Sequence, residues 1–207
     1  MQKSEPLKVA NTRVLIVEDS PITAKMTHDM LEDLGFSVSI ASTGIEALQR
    51  VREAPPDLIL MDIILKGELD GVETAKRIHM QFDIPVIYLT SFSEEKIFQR
   101  AKNTAPFGYL IKARMTSIEL HRAVEIALYK HRTDKTIREF QKLIEKTLET
   151  SFDGIAVLDF EGTILLVNEA LASMSGYSKV ELTGLNISKI TVGPDFTMHL
   201  IKSAKDD

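Results

Sequence analysis

Polar side chains that are suited to chemistry follow four apolar runs in the sequence. They are Glu18 and Asp19 after residues 13–17, Asp62 after residues 58–61, Thr90 after residues 85–89, and Lys112 after residues 107–111. Runs without polar alternation are typical of strands buried on both faces of a parallel sheet. Because an unpaired buried carboxylate is costly, we expect Asp62 to lie where its strand leaves the core.

These residue types indicate phosphoryl transfer to a carboxylate. Asp19 and Asp62 can hold Mg²⁺ together with waters, as this hard cation is usually bound in proteins. The metal would neutralise an incoming phosphoryl group and orient it for in-line attack by Asp62, which forms an aspartyl phosphate. Lys112 supplies a positive charge for the phosphoryl oxygens, and the Thr90 hydroxyl can move onto one of them. Tyr109 is amphipathic and can change its burial as Thr90 moves.

The elements around these residues alternate strand with helix five times, which predicts a doubly wound, five-stranded parallel sheet of the α/β class. In such sheets the functional site lies at the carboxyl ends of the strands. The helix caps are predicted at Ser20-Pro21, Thr43 and Asp70. A weaker helix is expected over 94–101. The residues expected to face the sheet are Ile22, Met26, Met30 and Leu34 in the first helix, Ile45, Leu48 and Val51 in the second, and Val72, Ala75, Ile78 and Phe82 in the third.

A long helix is predicted from Thr116, whose Thr-x-x-Glu pattern is that of a capping box. Neither Gly nor Pro occurs again until Gly154. Its first part has sheet-facing residues, and its second part carries a separate apolar stripe. That stripe consists of Ile137, Phe140, Ile144 and Leu148. We interpret it as a short dimeric coiled coil; the alternative is a solvated linker that packs on its own domain.

Composition limits the function classes. The chain has 207 residues, a net charge of −5 and no cysteine. Disulfides and thiolate nucleophiles are therefore excluded, and nothing favours nucleic acid or a membrane surface as a partner. No apolar run reaches the ~20 residues of a membrane span. We expect a soluble cytoplasmic protein with a polar leader over residues 1–11.

The acidic pair Glu18-Asp19, with Asp62, Thr90, Tyr109 and Lys112 in this order, resembles the receiver domain of two-component response regulators over residues 12–131. The resemblance implies a flavodoxin-like strand order of 2-1-3-4-5 and phosphotransfer from a histidine kinase or phosphotransfer protein. It also implies Mg²⁺ (or Mn²⁺) held by Asp19, Asp62 and the main-chain oxygen of Ile64, with Glu18 acting through water.

Two departures from that family are visible. Lys112 is followed by Ala113 where the family commonly has proline, and the loop after the acceptor, residues 65–69, is one residue longer and lacks proline. Both changes lie next to the expected site. They put in question the loop geometry after Lys112 and the access of a phosphodonor to Asp62.

The C-terminal segment, residues 150–207, resembles the start of a PAS domain. A strand–turn–strand pair is followed by Asn168-Glu169-Ala170, Gly176-Tyr177-Ser178 and Leu182-Thr183-Gly184. The later strands of a PAS domain are missing, so we expect a partial, α+β unit with an unknown ligand. Residues 132–149 are expected to form the helical linker before it.

Three functions compete. The first is a receiver that relays phosphorylation through the helix to the PAS unit, with no turnover enzyme beyond self-phosphorylation and self-dephosphorylation. The second is the input end of a hybrid histidine kinase whose catalytic part follows Asp207. The third, a nucleotide-binding enzyme, is disfavoured because the loop of residues 18–21 has no glycine. No DNA-reading helix pair or basic stripe is seen.

Overall fold

The computed structural model describes residues 12–91, 104 and 106–189. Five strands form one parallel sheet in the order β2-β1-β3-β4-β5, which confirms the predicted flavodoxin-like fold. The strands are β1 (Arg13–Val17), β2 (Ser37–Ala41), β3 (Leu58–Asp62), β4 (Val86–Thr90) and β5 (Gly108–Ile111). The helices of this part are α1 (Pro21–Asp33), α2 (Gly44–Glu53), α3 (Gly71–His79) and α4 (Ser117–Glu149). The predicted leader 1–11 and helix 94–101 lie outside the described residues.

Helices cover both faces of the sheet because β1, β3 and β4 are apolar at successive positions. One face packs against α2 and α3 through a cluster that includes Leu15, Ile59, Tyr88, Val51 and Ile78. The other face packs against α1 and α4 through a cluster that includes Val14, Leu60, Leu89, Leu31 and Val124. β3 is buried at all five positions and lies in the middle of the sheet. The strand that ends in Asp62, like its neighbour β4, is therefore covered on both faces along its whole length.

The predicted buried face of α1 is wrong in part. Ile22 and Met26 are 84% and 41% exposed, whereas Ala24, Thr27 and Leu31 are buried. The buried positions are separated by three and four residues, as for one face of a helix. Two of the three are small, which allows the helix backbone to approach the sheet closely. The prediction used apolar periodicity alone and therefore chose the larger side chains nearby, Ile22 and Met26.

A similar correction applies to α2, while α3 agrees with the prediction. Val51 is buried as predicted, but Ile45 is 53% exposed and Ala47 is buried in its place. In α3, the predicted inward residues Val72, Ala75 and Ile78 are all buried, and Phe82, just beyond the helix, packs against the same cluster. The prediction omitted Ala47 because it considered only the larger apolar side chains of this helix.

The helix caps follow the sequence closely. The Asp70 carboxylate accepts a hydrogen bond of 2.8 Å from the main-chain N–H of Glu73. Thr116 and Glu119 form the predicted capping box, in which each side chain accepts from the other residue's main-chain N–H. These bonds satisfy donors that have no partner within the helix, and they hold the helix starts where the strands end.

α4 is a single helix of 33 residues, as the absence of Gly and Pro predicts. At about 1.5 Å per residue it is about 50 Å long. Its early residues Leu120, Val124, Ala127 and Leu128 are buried against the sheet. The chain divides into two compact units within this helix, between Lys135 and Thr136. Within the described residues, no helix is long and apolar enough to cross a membrane.

The second unit has an antiparallel hairpin of β6 (Ala156–Leu158) and β7 (Ile164–Val167), followed by α5 (Glu169–Ser175) and α6 (Lys179–Leu182). Its apolar cluster is small, as expected for a segment with two strands. The described part ends at Lys189, so the rest of the predicted PAS segment lies outside the description.

Asn168 connects the end of α4 to this unit. The side chain is fully buried. Its amide nitrogen donates to the main-chain oxygens of Leu148 and Asp153, and its oxygen accepts from the N–H groups of Ile155 and Leu171. Four hydrogen bonds from one amide use all of its usual capacity. Asn168 belongs to the Asn168-Glu169-Ala170 pattern that resembles a PAS domain. Its hydrogen bonds connect the hairpin to the end of the linker helix.

Candidate functional site

Sheet register brings the predicted site residues to one edge. Val17 pairs with Met61, Asp62 with Leu89, and Thr90 with Ile111. The residues that follow these pairs therefore leave the sheet at nearly the same level. Glu18, Asp62, Thr90 and Lys112 all lie on this carboxyl edge, where parallel α/β sheets place their sites.

Three carboxylates meet at this edge. Carboxylate oxygens of Glu18, Asp19 and Asp62 all lie within 4.8 Å of one another. Glu18 and Asp62 are 2% and 5% exposed, and Asp19 is half-buried. Oxygen donors of this kind fit a hard divalent cation such as Mg²⁺, which neutralises clustered negative charge.

Lys112 joins two of these acids. Its ammonium nitrogen is 2.7 Å from Oε2 of Glu18 and 2.8 Å from Oδ2 of Asp62. Burial lowers the pKa of Lys112, but its contacts with Asp62 and Glu18 outweigh burial and raise the pKa above its ordinary value. Lys112 is therefore charged in the folded protein and places a fixed cation against Asp62 and Glu18.

Asp62 has an unusual pKa for an aspartate. Burial is the largest cause and raises the pKa of Asp62 from 3.8 to about 6, against the opposing effect of Lys112 and with a further increase from the charge of Glu18. The main-chain N–H of Ile64 donates to Oδ1 at 3.2 Å. At neutral pH the group is mostly an ionised carboxylate that is weakly solvated, which suits a nucleophile.

The loop after Lys112 differs from the proline-containing form and still closes tightly. Residues 112–114 form a 3₁₀ turn, in which the N–H of Met115 donates to the main-chain oxygen of Lys112. Met115 is buried in the core on the α4 side of the sheet. Every peptide bond in the described residues is trans. An apolar anchor at Met115 therefore takes part in positioning Lys112.

The two predicted switch residues are placed differently. Thr90 is buried, and its hydroxyl donates to the main-chain oxygen of Ser91 at 3.0 Å. Tyr109 lies on β5 beside its register partner Tyr88, with ring centroids 5.9 Å apart. Tyr88 is fully buried, and its hydroxyl lies 2.9 Å from the hydroxyl of Thr104. Tyr109 thus packs on a buried tyrosine of the β4 strand.

Sequence reasoning missed two residues at this acidic edge, one beside Asp19 and one beside Asp62. Lys66 places its ammonium 2.9 Å from Oδ2 of Asp19. Gly71 packs so closely that an added Cβ would lie 1.8 Å from the main-chain oxygen of Asp62. A lysine four residues after the acceptor and a glycine directly after the capping Asp70 were the available signals. Their meaning depends on the path of the loop, which the sequence pattern does not specify.

Comparison with known proteins identifies two domain families in this chain. The response regulator receiver domain model matches residues 14–125, and the PAS fold model matches residues 142–203. The transcriptional regulatory protein PdtaR of Mycobacterium tuberculosis is 30% identical over 139 residues, which are 67% of each chain. The sensor histidine kinase TmoS of Ectopseudomonas mendocina is 26% identical over 86% of this chain, but only 22% of that protein is covered.

A solved structure agrees with these matches. The signal receiver domain of a modulated diguanylate cyclase from Desulfovibrio desulfuricans G20 is 41% identical, with a TM-score of 0.57. The alignment covers 59% of this chain and 97% of that one. With the acidic edge, the strand order and the family match in agreement, the chain belongs to the response regulator receiver family and carries a PAS fold after its receiver domain.

Proposed function

We propose that this chain is a phosphorylation-controlled signalling protein in which Asp62 accepts a phosphoryl group from a histidine kinase or phosphotransfer protein. The observation that carries the proposal is a buried Asp62 carboxylate, 2.8 Å from the Lys112 ammonium, at an edge with two further acids. Transfer forms a bond between an Asp62 oxygen and phosphorus. The phosphorus–nitrogen bond of the donor phosphohistidine breaks, and the imidazole leaves.

Each residue at the carboxyl edge is proposed to have a separate role in the transfer. Asp19, Asp62 and the main-chain oxygen of Ile64 are proposed to hold Mg²⁺ (or Mn²⁺), with Glu18 acting through water. When bound, the metal neutralises charge on the phosphoryl oxygens. Lys112 binds one of those oxygens as a fixed cation. The Thr90 hydroxyl, now bonded to Ser91, rotates onto another.

Movement of Thr90 and Tyr109 is proposed to carry the phosphorylation signal away from Asp62. The Tyr109 ring is proposed to change its burial as Thr90 moves, because it lies on the neighbouring strand and is only half-buried. Its ring can move while Tyr88 stays in the core. Receiver domains interact with histidine kinases, and here the start of α1, directly after Asp19, offers the exposed Ile22 to such a partner.

The chain is proposed to have four parts. These are a polar leader over 1–11, the receiver domain over 12–131, a helical linker over 132–149 and a partial PAS domain over 150–207. The linker would pass the phosphorylation signal to the PAS unit, whose ligand and output are open. A cytoplasmic location is proposed as well, since histidine kinases draw on cytoplasmic ATP.

A second candidate is the input region of a larger hybrid sensor histidine kinase. The similarity to the sensor histidine kinase TmoS favours it, because that match extends over most of this chain and a fifth of that protein. The two candidates share the chemistry at Asp62. They differ in whether a kinase region belongs to the same polypeptide.

Labelling with a small acyl phosphate and Mg²⁺ tests the phosphoacceptor. Mass spectrometry should locate one phosphoryl group on Asp62, and the Asp62→Asn variant should lose it, since an amide is not a nucleophile of this kind. Asp70→Asn is the control, because asparagine caps a helix as well as aspartate does. Labelling of Asp62→Asn at the wild-type rate would remove the proposal.

The linker stripe is proposed to form a dimer with the same stripe of a second copy. Ile137, Phe140 and Ile144 are 51%, 61% and 43% exposed, at the 3–4 spacing of a coiled-coil seam. Leu148, the fourth predicted member, is half-buried and contributes less. Burying these side chains against a second copy removes them from water, which is the main driving force of such association.

Light scattering measures this association. Changing Phe140 and Ile144 to lysine should convert a dimer into a monomer, because two charges would face their counterparts across the seam. Changing Glu139 and Glu145 to glutamine alters the net charge equally but lies off the stripe, and should leave the dimer intact. A dimer that survives the lysine changes would show that the stripe is not the interface.

A further inference from the structure

Lys66 is a second cation at the acidic edge. It lies in the loop of residues 65–69, directly after the β3 strand and its turn. Its ammonium is 2.9 Å from Oδ2 of Asp19, and its side chain is 87% exposed. The neighbouring Leu65 and Leu69 are buried, at 7% and 8% exposure. Buried anchors on both sides therefore hold the loop in place while the lysine side chain extends over Asp19.

The two lysines divide the three acids between them. Lys112 contacts Glu18 and Asp62, and Lys66 contacts Asp19. With both ammonium groups present, three carboxylates and two cations leave one net negative charge. With Lys66 withdrawn, the same edge carries two, which is the charge that a divalent cation neutralises.

We propose that Lys66 is a tethered competitor of the divalent cation for Asp19. The inference rests on the proposed function, because it takes Asp19 as a metal ligand. Lys66 occupies Oδ2 of Asp19 in the absence of metal and leaves it when the cation binds. The affinity of the site for Mg²⁺ is thereby lowered and depends on the residue at position 66.

The exposure of Lys66 determines how strong this competition is. An ion pair that is open to solvent is weak and is screened by salt. Next to it, Gly67 has a φ of +120°, and nothing lies within 4 Å of the position of an added Cβ. Because the Lys66 side chain is itself 87% exposed, it can leave Asp19 without disturbing packed groups. Competition of this kind changes the metal affinity severalfold and does not abolish binding.

Calorimetric titration of the full chain with Mg²⁺, without any phosphodonor, measures the effect. Lys66→Gln should tighten Mg²⁺ binding about two- to fivefold at low ionic strength, as the loss of one exposed ion pair allows. Lys66→Arg keeps the charge and should bind Mg²⁺ as the wild type does. Lys25→Gln is the matched control, because Lys25 is an exposed lysine paired with Asp29 at 2.7 Å and should leave the affinity unchanged.

The gain should shrink as salt is added, because screening weakens the pair that Lys66→Gln removes. Equal or weaker binding by Lys66→Gln would overturn the competitor role. The Asp19→Asn variant distinguishes failure of the competitor role of Lys66 from failure of the proposed metal site. If wild-type binding does not depend on Asp19, the proposed metal site and the role of Lys66 both fail. If it does, and Lys66→Gln binds no tighter, only the role of Lys66 fails.

Discussion

Asp62→Asn should stabilise the protein at pH 8 while it removes the proposed phosphoacceptor. Burial raises the pKa of Asp62 to about 6 from 3.8, so the folded state resists ionisation of this group more than the unfolded state does. The difference corresponds to at most about 3 kcal/mol. Because Lys112 also loses one of its two charged partners in the variant, we expect a gain below this limit, of about 1–2 kcal/mol.

The pH dependence follows from the sign of this shift. A group whose folded pKa is raised contributes stability below its unfolded pKa, and that contribution is lost as pH rises through the folded pKa. The wild type should therefore lose stability relative to Asp62→Asn between about pH 4 and about pH 6. The two proteins should have nearly equal stability at the acidic end of this window.

Denaturant unfolding of both proteins without Mg²⁺, followed by circular dichroism at several pH values, checks this prediction. Asp57→Asn serves as the control, because Asp57 is 45% exposed and precedes β3 at the opposite end of the strand. It should change stability by less than about 1 kcal/mol at every pH. A loss of stability in Asp62→Asn at pH 8 would mean that the carboxylate is well satisfied in the fold.

Gly71→Ala should cost the receiver unit more than about 3 kcal/mol, because the added methyl group meets main-chain atoms. Its Cβ would lie 1.8 Å from the oxygen and 2.9 Å from the carbonyl carbon of Asp62, and 3.1 Å from the Cα of Ile63. Backbone at the end of a central strand cannot move without loss of sheet bonds. The N–H of Gly71 also donates to the oxygen of Ile63 at 3.1 Å, which closes the loop onto the strand.

Labelling of Asp62 should fall together with stability in Gly71→Ala, since any relief of the clash displaces Asp62, the proposed acceptor. Gly108→Ala makes the same substitution on β5, where an added Cβ meets only Ile87 side-chain carbons at 3.9 Å. That control should stay within about 1 kcal/mol of the wild type and keep its labelling. If the Gly71→Ala variant unfolded at the wild-type temperature and were labelled at the wild-type rate, the close packing of Gly71 against Asp62 would be contradicted.

Much of the fold was visible in the sequence because it depends on local patterns. Apolar runs located the strands, and capping residues such as Ser20 and Asp70 located the helix starts. The length of α4 followed from the lack of Gly and Pro. The faces of α1 and α2 were less predictable. Ile22 and Ile45 fit the helical period, but smaller neighbours allow closer packing, and only the assembled sheet selects between them.

The site shows the same division between local and tertiary information. By itself the sequence determined which residue types end the strands, and therefore that Glu18, Asp62, Thr90 and Lys112 share one edge. Only the tertiary structure decided that Lys66 reaches Asp19, that Gly71 lies against Asp62 and that Tyr109 packs on Tyr88. Strand ends are set by apolar patterning along the chain. Contacts between loops depend on chain paths and on side-chain volumes that meet only when the sheet is assembled.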